Sequence, residues 1–122
     1  MSKILILDDS PTDTYLAKKC AETLFSEVRA VSTAEGLFKE LRDFEPSVVL
    51  LDWHLDEPRN GISIIGEIRD GDGQSSAVPI VVVSSRRMPA DKQNAMNAGA
   101  SDYIVKPISV ESLAAAVSKL IP

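Results

Sequence analysis

Val48-Val49-Leu50-Leu51-Asp52 is an unbroken apolar run that ends on an acid. A run of Val and Leu this short, with no polar residue inside it, is how a strand buried on both faces of a parallel sheet reads. Two other runs share the plan. Ile4-Leu5-Ile6-Leu7 leads into Asp8-Asp9, and Tyr103-Ile104-Val105 leads into Lys106-Pro107. In parallel sheets ligands sit in the crevice beyond the carboxyl ends of the strands, so three carboxylates and a lysine are expected to meet there.

Outward from these runs the pattern alternates strand and helix. Ser10-Pro11-Thr12-Asp13 offers an N-cap serine, a proline at the first helical position and an acid at the third. Leu16, Cys20 and Leu24 recur every four residues and are expected to form that helix's buried face. A short strand at Val28 to Val31 precedes Ser32-Thr33-Ala34-Glu35, a capping-box pattern, with Leu37, Phe38 and Leu41 as the next apolar stripe and Pro46 closing it. Ile62, Ile65 and Ile68 mark a third helix, followed by a polar segment from Gly71 to Ser76. Pro79 to Val83 read as the fourth strand, Pro89 to Ala98 as a helix ending at Gly99, and Tyr103 to Val105 as the fifth strand. Ser109 caps a final helix through Leu113, Val117 and Leu120. Five such units predict an α/β fold of three layers: a five-stranded parallel sheet with helices on both faces, in the flavodoxin-like order 2-1-3-4-5. That order sets the first strand beside the third.

The 122 residues suit one domain spanning 1–122, and 44% apolar with 25% charged content is ordinary for a globular protein. Net charge is -5 with no lysine and arginine cluster, which disfavours direct binding to nucleic acid. The apolar run begins right after Met1-Ser2-Lys3, leaving no room for a signal peptide, and no stretch approaches the ~20 apolar residues of a membrane span. A cytoplasmic protein without membrane contact is expected. The single cysteine, Cys20, rules out an internal disulfide and reads as an inert buried thiol.

Carboxylates grouped in a partly desolvated crevice repel one another, so the site must take up protons or hold a cation. All-oxygen ligation favours a hard ion, and magnesium, which keeps waters and phosphate oxygens among its ligands, suits this inventory better than zinc or copper. With the charge offset, a carboxylate oxygen of Asp52 can attack an in-line phosphorus while Lys106 balances the phosphoryl oxygens. Ser84, at the carboxyl end of the fourth strand, is placed to donate to a phosphoryl oxygen; Ser85 points the other way by alternation. Simpler roles exist for each residue. Asp8 and Asp9 could merely favour a helix amino terminus, worth about 0.3–1 kcal/mol each, though Ser10 already supplies the cap. Lys106 alone would be a solvated lysine, and Tyr103 a packed ring with a wet hydroxyl. His54 has no serine or cysteine nucleophile nearby to serve as general base, and its side chain is expected on the surface. Trp53 is a possible fluorescent reporter of the site.

These residues together resemble the receiver domain of bacterial response regulators, of the stand-alone chemotaxis-regulator type, over essentially the whole chain. The resemblance rests on Asp8-Asp9 after the first strand, Asp52 after the third, Ser84 after the fourth and Lys106-Pro107 after the fifth. It implies that Asp52 is the phosphoacceptor and that Asp8, Asp9, Asp52 and the backbone carbonyl of His54 hold magnesium. It further implies that Lys106 contacts the phosphoryl group, that Pro107 follows a cis peptide bond, and that Tyr103 and Ser84 act as the switch pair. His54 and Arg86 fall where the family tunes the lifetime of the acyl phosphate. The chain departs from the family after Asp52: Leu55-Asp56-Glu57-Pro58-Arg59-Asn60-Gly61 delays the usual proline and places the glycine nine residues on. The Gly71 to Ser76 segment also looks extended.

The function implied is a phosphorylation-dependent switch in a two-component phosphorelay, catalysing only its own phosphorylation and dephosphorylation. A histidine kinase or histidine phosphotransfer protein would be the donor. With no effector domain after Pro122, the signal would pass to a downstream effector protein through the fourth helix, fifth strand and fifth helix, unless the chain is part of a longer one. The alternatives are a scaffold that works without phosphorylation, an aspartate-nucleophile phosphatase, and a flavin carrier. The phosphatases place a second acid where this chain has His54, and Asp8 and Asp9 would repel a flavin phosphate.

Overall fold

The computed structural model describes residues 2–55, 60–71 and 74–121. Strands β1 (Lys3–Leu7), β2 (Glu27–Val31), β3 (Val48–Asp52), β4 (Ile80–Ser84) and β5 (Asp102–Val105) form one parallel sheet in the order β2-β1-β3-β4-β5. Helices α1 (Pro11–Leu24), α2 (Ala34–Asp43), α3 (Gly61–Asp70), α4 (Pro89–Ala98) and α5 (Val110–Leu120) alternate with them, and a 3₁₀ turn covers Gln74–Ala77. The expected fold class and strand order are both found. Asp56-Glu57-Pro58-Arg59, the core of the loop expected to depart from the family, lies outside the described residues, as do Asp72 and Gly73 in the extended polar segment.

Alternation along the strands sorts side chains to two cores. Ile4 and Ile6 pack with Ala17, Ala21, Leu113 and Ala116 of α1 and α5. Leu5 and Leu7 pack with residues of α2, α3 and α4 on the opposite face. Every residue of β3 and β4 is buried, as strands covered on both sides must be. Register places the strand ends. Leu7 pairs with Leu51, Asp52 with Val83, and Ser84 with Val105. Asp8 and Asp52 therefore leave the sheet side by side, with Ser84 and Lys106 one and two rows farther along.

Several details of the helices differ from expectation. The inner face of α1 is Ala17, Ala21 and the C-cap Phe25, not Leu16, Cys20 and Leu24; Leu16 and Leu24 are 42% and 37% exposed and Cys20 is half-buried. Small residues let the helix seat closely on the sheet, and the longer leucines one position earlier turn outward. The Cys20 thiol is still pushed up in pKa by burial and by Glu111, consistent with an unreactive group. In α2 the cap is Thr33, whose hydroxyl accepts from the Gly36 N–H at 3.1 Å, rather than a Ser32 and Glu35 box. Starting one residue later points Ala34, Leu37 and Leu41 inward, while Phe38 packs only at the margin. In α3 the buried set is Ile64, Ile65 and Ile68, with Ile62 at the rim. Strand β4 begins and ends one residue later than expected, which draws Ser84 into the sheet. In α5 the Ser109 cap forms as expected, but Leu113 and Ala116 are the buried pair, with Val117 and Leu120 partly covered.

Two glycines are needed where they stand. Gly99 ends α4 with φ 118°, a left-handed conformation open to glycine. A Cβ on Gly61 would lie 2.6 Å from the Asp52 carbonyl oxygen, so the glycine nine residues on still abuts the end of β3. Arg69 of α3 fastens the opposite end of the sheet. Its guanidinium donates to the carbonyls of Gly99, Ser76 and Val78 at 2.7 to 3.0 Å.

Candidate functional site

The site grows out of strand ends that have no freedom to drift. Asp8 follows the buried Leu7 and Asp52 closes the buried β3, and both are themselves nearly inaccessible, at 7% and 5% exposed. One oxygen from each of Asp8, Asp9 and Asp52 can be chosen so that all lie within 4.8 Å of one another. The three expected acids thus converge.

Burial is the main cause of their altered acidity. It pushes the Asp8 carboxyl up to about 6, with the negative charge of Asp52 adding to the effect and the Ser10 N–H, donating at 2.9 Å, opposing it. Asp52 is also raised by burial, against the pull of Lys106 and of the His54 backbone N–H. Lys106 is half-buried and held in its charged form: burial opposes the charge, but Asp13 and Asp52 outweigh it. Its Nζ lies 2.8 Å from Asp13 Oδ2, 3.0 Å from Asp52 Oδ1 and 3.7 Å from Asp8 Oδ2. The contact to Asp52 lacks hydrogen-bond directionality. Asp52 Oδ1 therefore stays buried without a hydrogen-bond partner among the described residues. A buried acceptor oxygen with open lone pairs, in a cluster of hard anionic donors, fits a divalent cation of the magnesium type.

The other wall of the crevice is built from β4 and β5. Ser84 is fully buried, and its Oγ accepts from the Arg86 N–H at 3.0 Å; Ser85 faces solvent. The Lys106 N–H donates to the Ser84 carbonyl at 2.8 Å, and the Lys106-Pro107 peptide is cis. The Tyr103 hydroxyl donates to the Arg86 carbonyl at 2.7 Å, and its ring meets the Trp53 ring edge-on. The His54 side chain is exposed, as expected, and its Nε2 accepts from Arg86 Nε at 3.2 Å. The Arg86 guanidinium lies over Trp53 and near Asp91, 5.1 Å from the ring centroid and 3.5 Å from the carboxylate.

Sequence reasoning missed two participants. Asp13 looked like an ordinary first-turn acid, yet it takes the hydrogen bond of Lys106. The signal was available: the third residue of a helix that starts beside Asp8 faces back over the strand ends. Arg86 drew notice only for its place two residues after Ser84, although it joins Ser84, Tyr103, His54 and Trp53. No sequence spacing encodes that convergence.

Comparison with known proteins agrees with this geometry. A family model described as response regulator receiver domain matches residues 4–118. The transcriptional regulatory protein KdpE of Staphylococcus aureus is 32% identical over 116 residues, covering 95% of this chain and 48% of that protein. Protein PilH of Pseudomonas aeruginosa is 31% identical over 113 residues, covering 93% of this chain and 92% of PilH. The chain spans about half the length of the KdpE relatives it matches. The solved structure of the chemotaxis response regulator CheY4 of Vibrio cholerae superposes with a TM-score of 0.85 at 21% identity, covering 99% of both chains. By profile, by sequence relatives and by fold, this chain belongs to the response regulator receiver domain family.

Proposed function

We propose that the chain acts as a phosphorylation-dependent switch in a two-component phosphorelay, with Asp52 as the phosphoacceptor. The observation that carries this reading is the buried Asp52 Oδ1, unbonded among the described residues, beside Asp8, Asp9 and the Lys106 ammonium. A carboxylate oxygen of Asp52 forms the new O–P bond as the N–P bond of a phosphohistidine donor breaks, the electron pair leaving with the imidazole. Lys106 and the His54 N–H favour the ionised carboxylate that this attack requires. Asp8, Asp9, Asp52 and the His54 carbonyl would hold magnesium, which would supply positive charge to the phosphoryl oxygens.

Ser84 transmits the event. Its Oγ accepts from the Arg86 N–H and still has a proton to give to a phosphoryl oxygen. Movement of Ser84 toward Asp52 shifts Arg86, and with it the carbonyl that holds the Tyr103 hydroxyl. The surface of α4, β5 and α5 would then change for a downstream effector protein. The donor is a histidine kinase or histidine phosphotransfer protein, and the chain performs only its own phosphorylation and dephosphorylation, in the cytoplasm. Among the described residues no helix is long and apolar enough to cross a membrane.

The test is intact mass after treatment with magnesium and acetyl phosphate. Wild type should gain one phosphoryl group and Asp52→Asn none. An equal gain in the variant would reject Asp52 as the acceptor.

A further inference from the structure

The ammonium of Lys106 has three carboxylates within reach, and its hydrogen bond goes to the one outside the proposed metal cluster. Asp13 Oδ2 receives it at 2.8 Å, whereas Asp52 and Asp8 are paired by charge alone, at 3.0 and 3.7 Å. Asp13 sits on the first turn of α1, is partly open to solvent and belongs to neither strand end. A cavity of about 220 Å³ bordered by Asp13, Leu16, Val83, Asp52 and Lys106 gives the lysine side chain room to change position. Ammonium and divalent cation compete for the same anionic oxygens. Where Lys106 rests therefore sets how much of the acid cluster is left for the metal.

We infer that Asp13 is a positioning residue that draws the Lys106 ammonium to the α1 side of the crevice and so keeps the Asp8, Asp9 and Asp52 oxygens available to a divalent cation. This rests on the reading of those three acids as a magnesium site. Without Asp13, the ammonium settles between Asp52 and Asp8, the carboxylates it already approaches, and opposes metal entry. The effect belongs to the unphosphorylated state, before any phosphoryl oxygen claims the lysine.

The experiment is a titration with magnesium chloride alone, read by fluorescence of Trp53, the single tryptophan, and checked by manganese electron paramagnetic resonance. Wild type must first show saturable binding; if it does not, the metal reading fails and takes this inference with it. Given wild-type binding, Asp13→Asn should weaken magnesium affinity about tenfold with an unchanged circular dichroism melt. Asp13→Glu, which keeps a carboxylate within reach of Nζ, should restore most of the loss. In a Lys106→Met background the Asp13→Asn change should be worth no more than about twofold, the residue of losing one half-exposed charge. An Asp13→Asn affinity within twofold of wild type would overturn the inference while leaving the metal site standing. An equally large loss in the Lys106→Met background would also overturn it, since Asp13 would then act on the cation directly.

Discussion

Helices α3 and α4 are both ten residues long and lie on the same face of the sheet, yet they are held in opposite ways. Helix α3 buries Gly61, Ile64, Ile65 and Ile68 and is capped by the Asn60 side chain on the Ser63 N–H. Helix α4 buries Ala95 alone; Met88 offers no side-chain cap, and the Asp91 carboxylate accepts from the Met88 N–H instead. Burying an isoleucine is worth about 1.5–3 kcal/mol and a methyl group roughly 0.8, so the two helices differ several-fold in anchorage. The difference falls along the site. Strand β3 leads toward the well-anchored helix, and Ser84 leads toward the one with less buried surface. Under the proposed function, a phosphoryl group on Asp52 would meet a well-packed floor on one side and a lightly packed wall on the other.

The contrast is most easily broken by truncation. Ile64→Ala should lower the free energy of unfolding by about 2–5 kcal/mol in urea titrations, while Met96→Ala on α4 should lower it by about 1. Equal losses would remove the distinction. Next in size is the pH response of the acid floor in metal-free protein. Asp8 is pushed up to about 6 in the folded state, above its unfolded value near 4, so the native state holds that proton more tightly. The stability this supplies is complete below about pH 4 and disappears as pH rises through 6, a swing of roughly 2–3 kcal/mol. Asp8→Asn should flatten that slope and leave the metal-free protein more stable at pH 7 than wild type; parallel profiles would reject the shift.

Arg69→Ala strips three carbonyls of a charged donor and should destabilise by about 2 kcal/mol. The accompanying rise in amide exchange should centre on Gly99 and Ala100, where α4 ends. Smallest in stability is Arg86→Ala, which loses an exposed guanidinium seat and should change the unfolding free energy by less than about 1 kcal/mol. Its mark should instead be faster exchange at Arg86 to Met88 and altered Trp53 fluorescence. An unchanged loop would mean that the contacts to His54 and Trp53 do not restrain the start of α4.

What the sequence disclosed follows from what it can encode locally. Apolar runs ending in Asp8, Asp52 and Lys106 determine both the strands and the strand ends, and alternation with helices leaves few topologies, so sheet order and acid convergence were legible together. Side-chain depth was less so. Leu16 outranks Ala17 in hydrophobicity, but the gap between α1 and the sheet admits only the smaller residue, a property of packing that no four-residue period carries. The same holds for the cap of α2, where Ser32 and Thr33 are chemically alike and the demand to bury Ala34 selects the second. Asp13 and Arg86 were hidden for a different reason. Their roles depend on partners 93 and 32 residues away in sequence, and each would suit an ordinary helix or loop surface by type alone.

The guanidinium of Arg69 meets peptide carbonyls where many buried cations meet an acid, and burial already pulls its pKa down. Among the described residues no carboxylate pairs with it, and a charge met by fixed dipoles is little weakened by dissolved salt. The corner joining α3, the 3₁₀ turn and the end of α4 should therefore keep its shape across ionic strengths and acidities that rearrange the opposite rim. The carboxyl end of α4 would then be held under the very conditions that alter the contacts of its amino end.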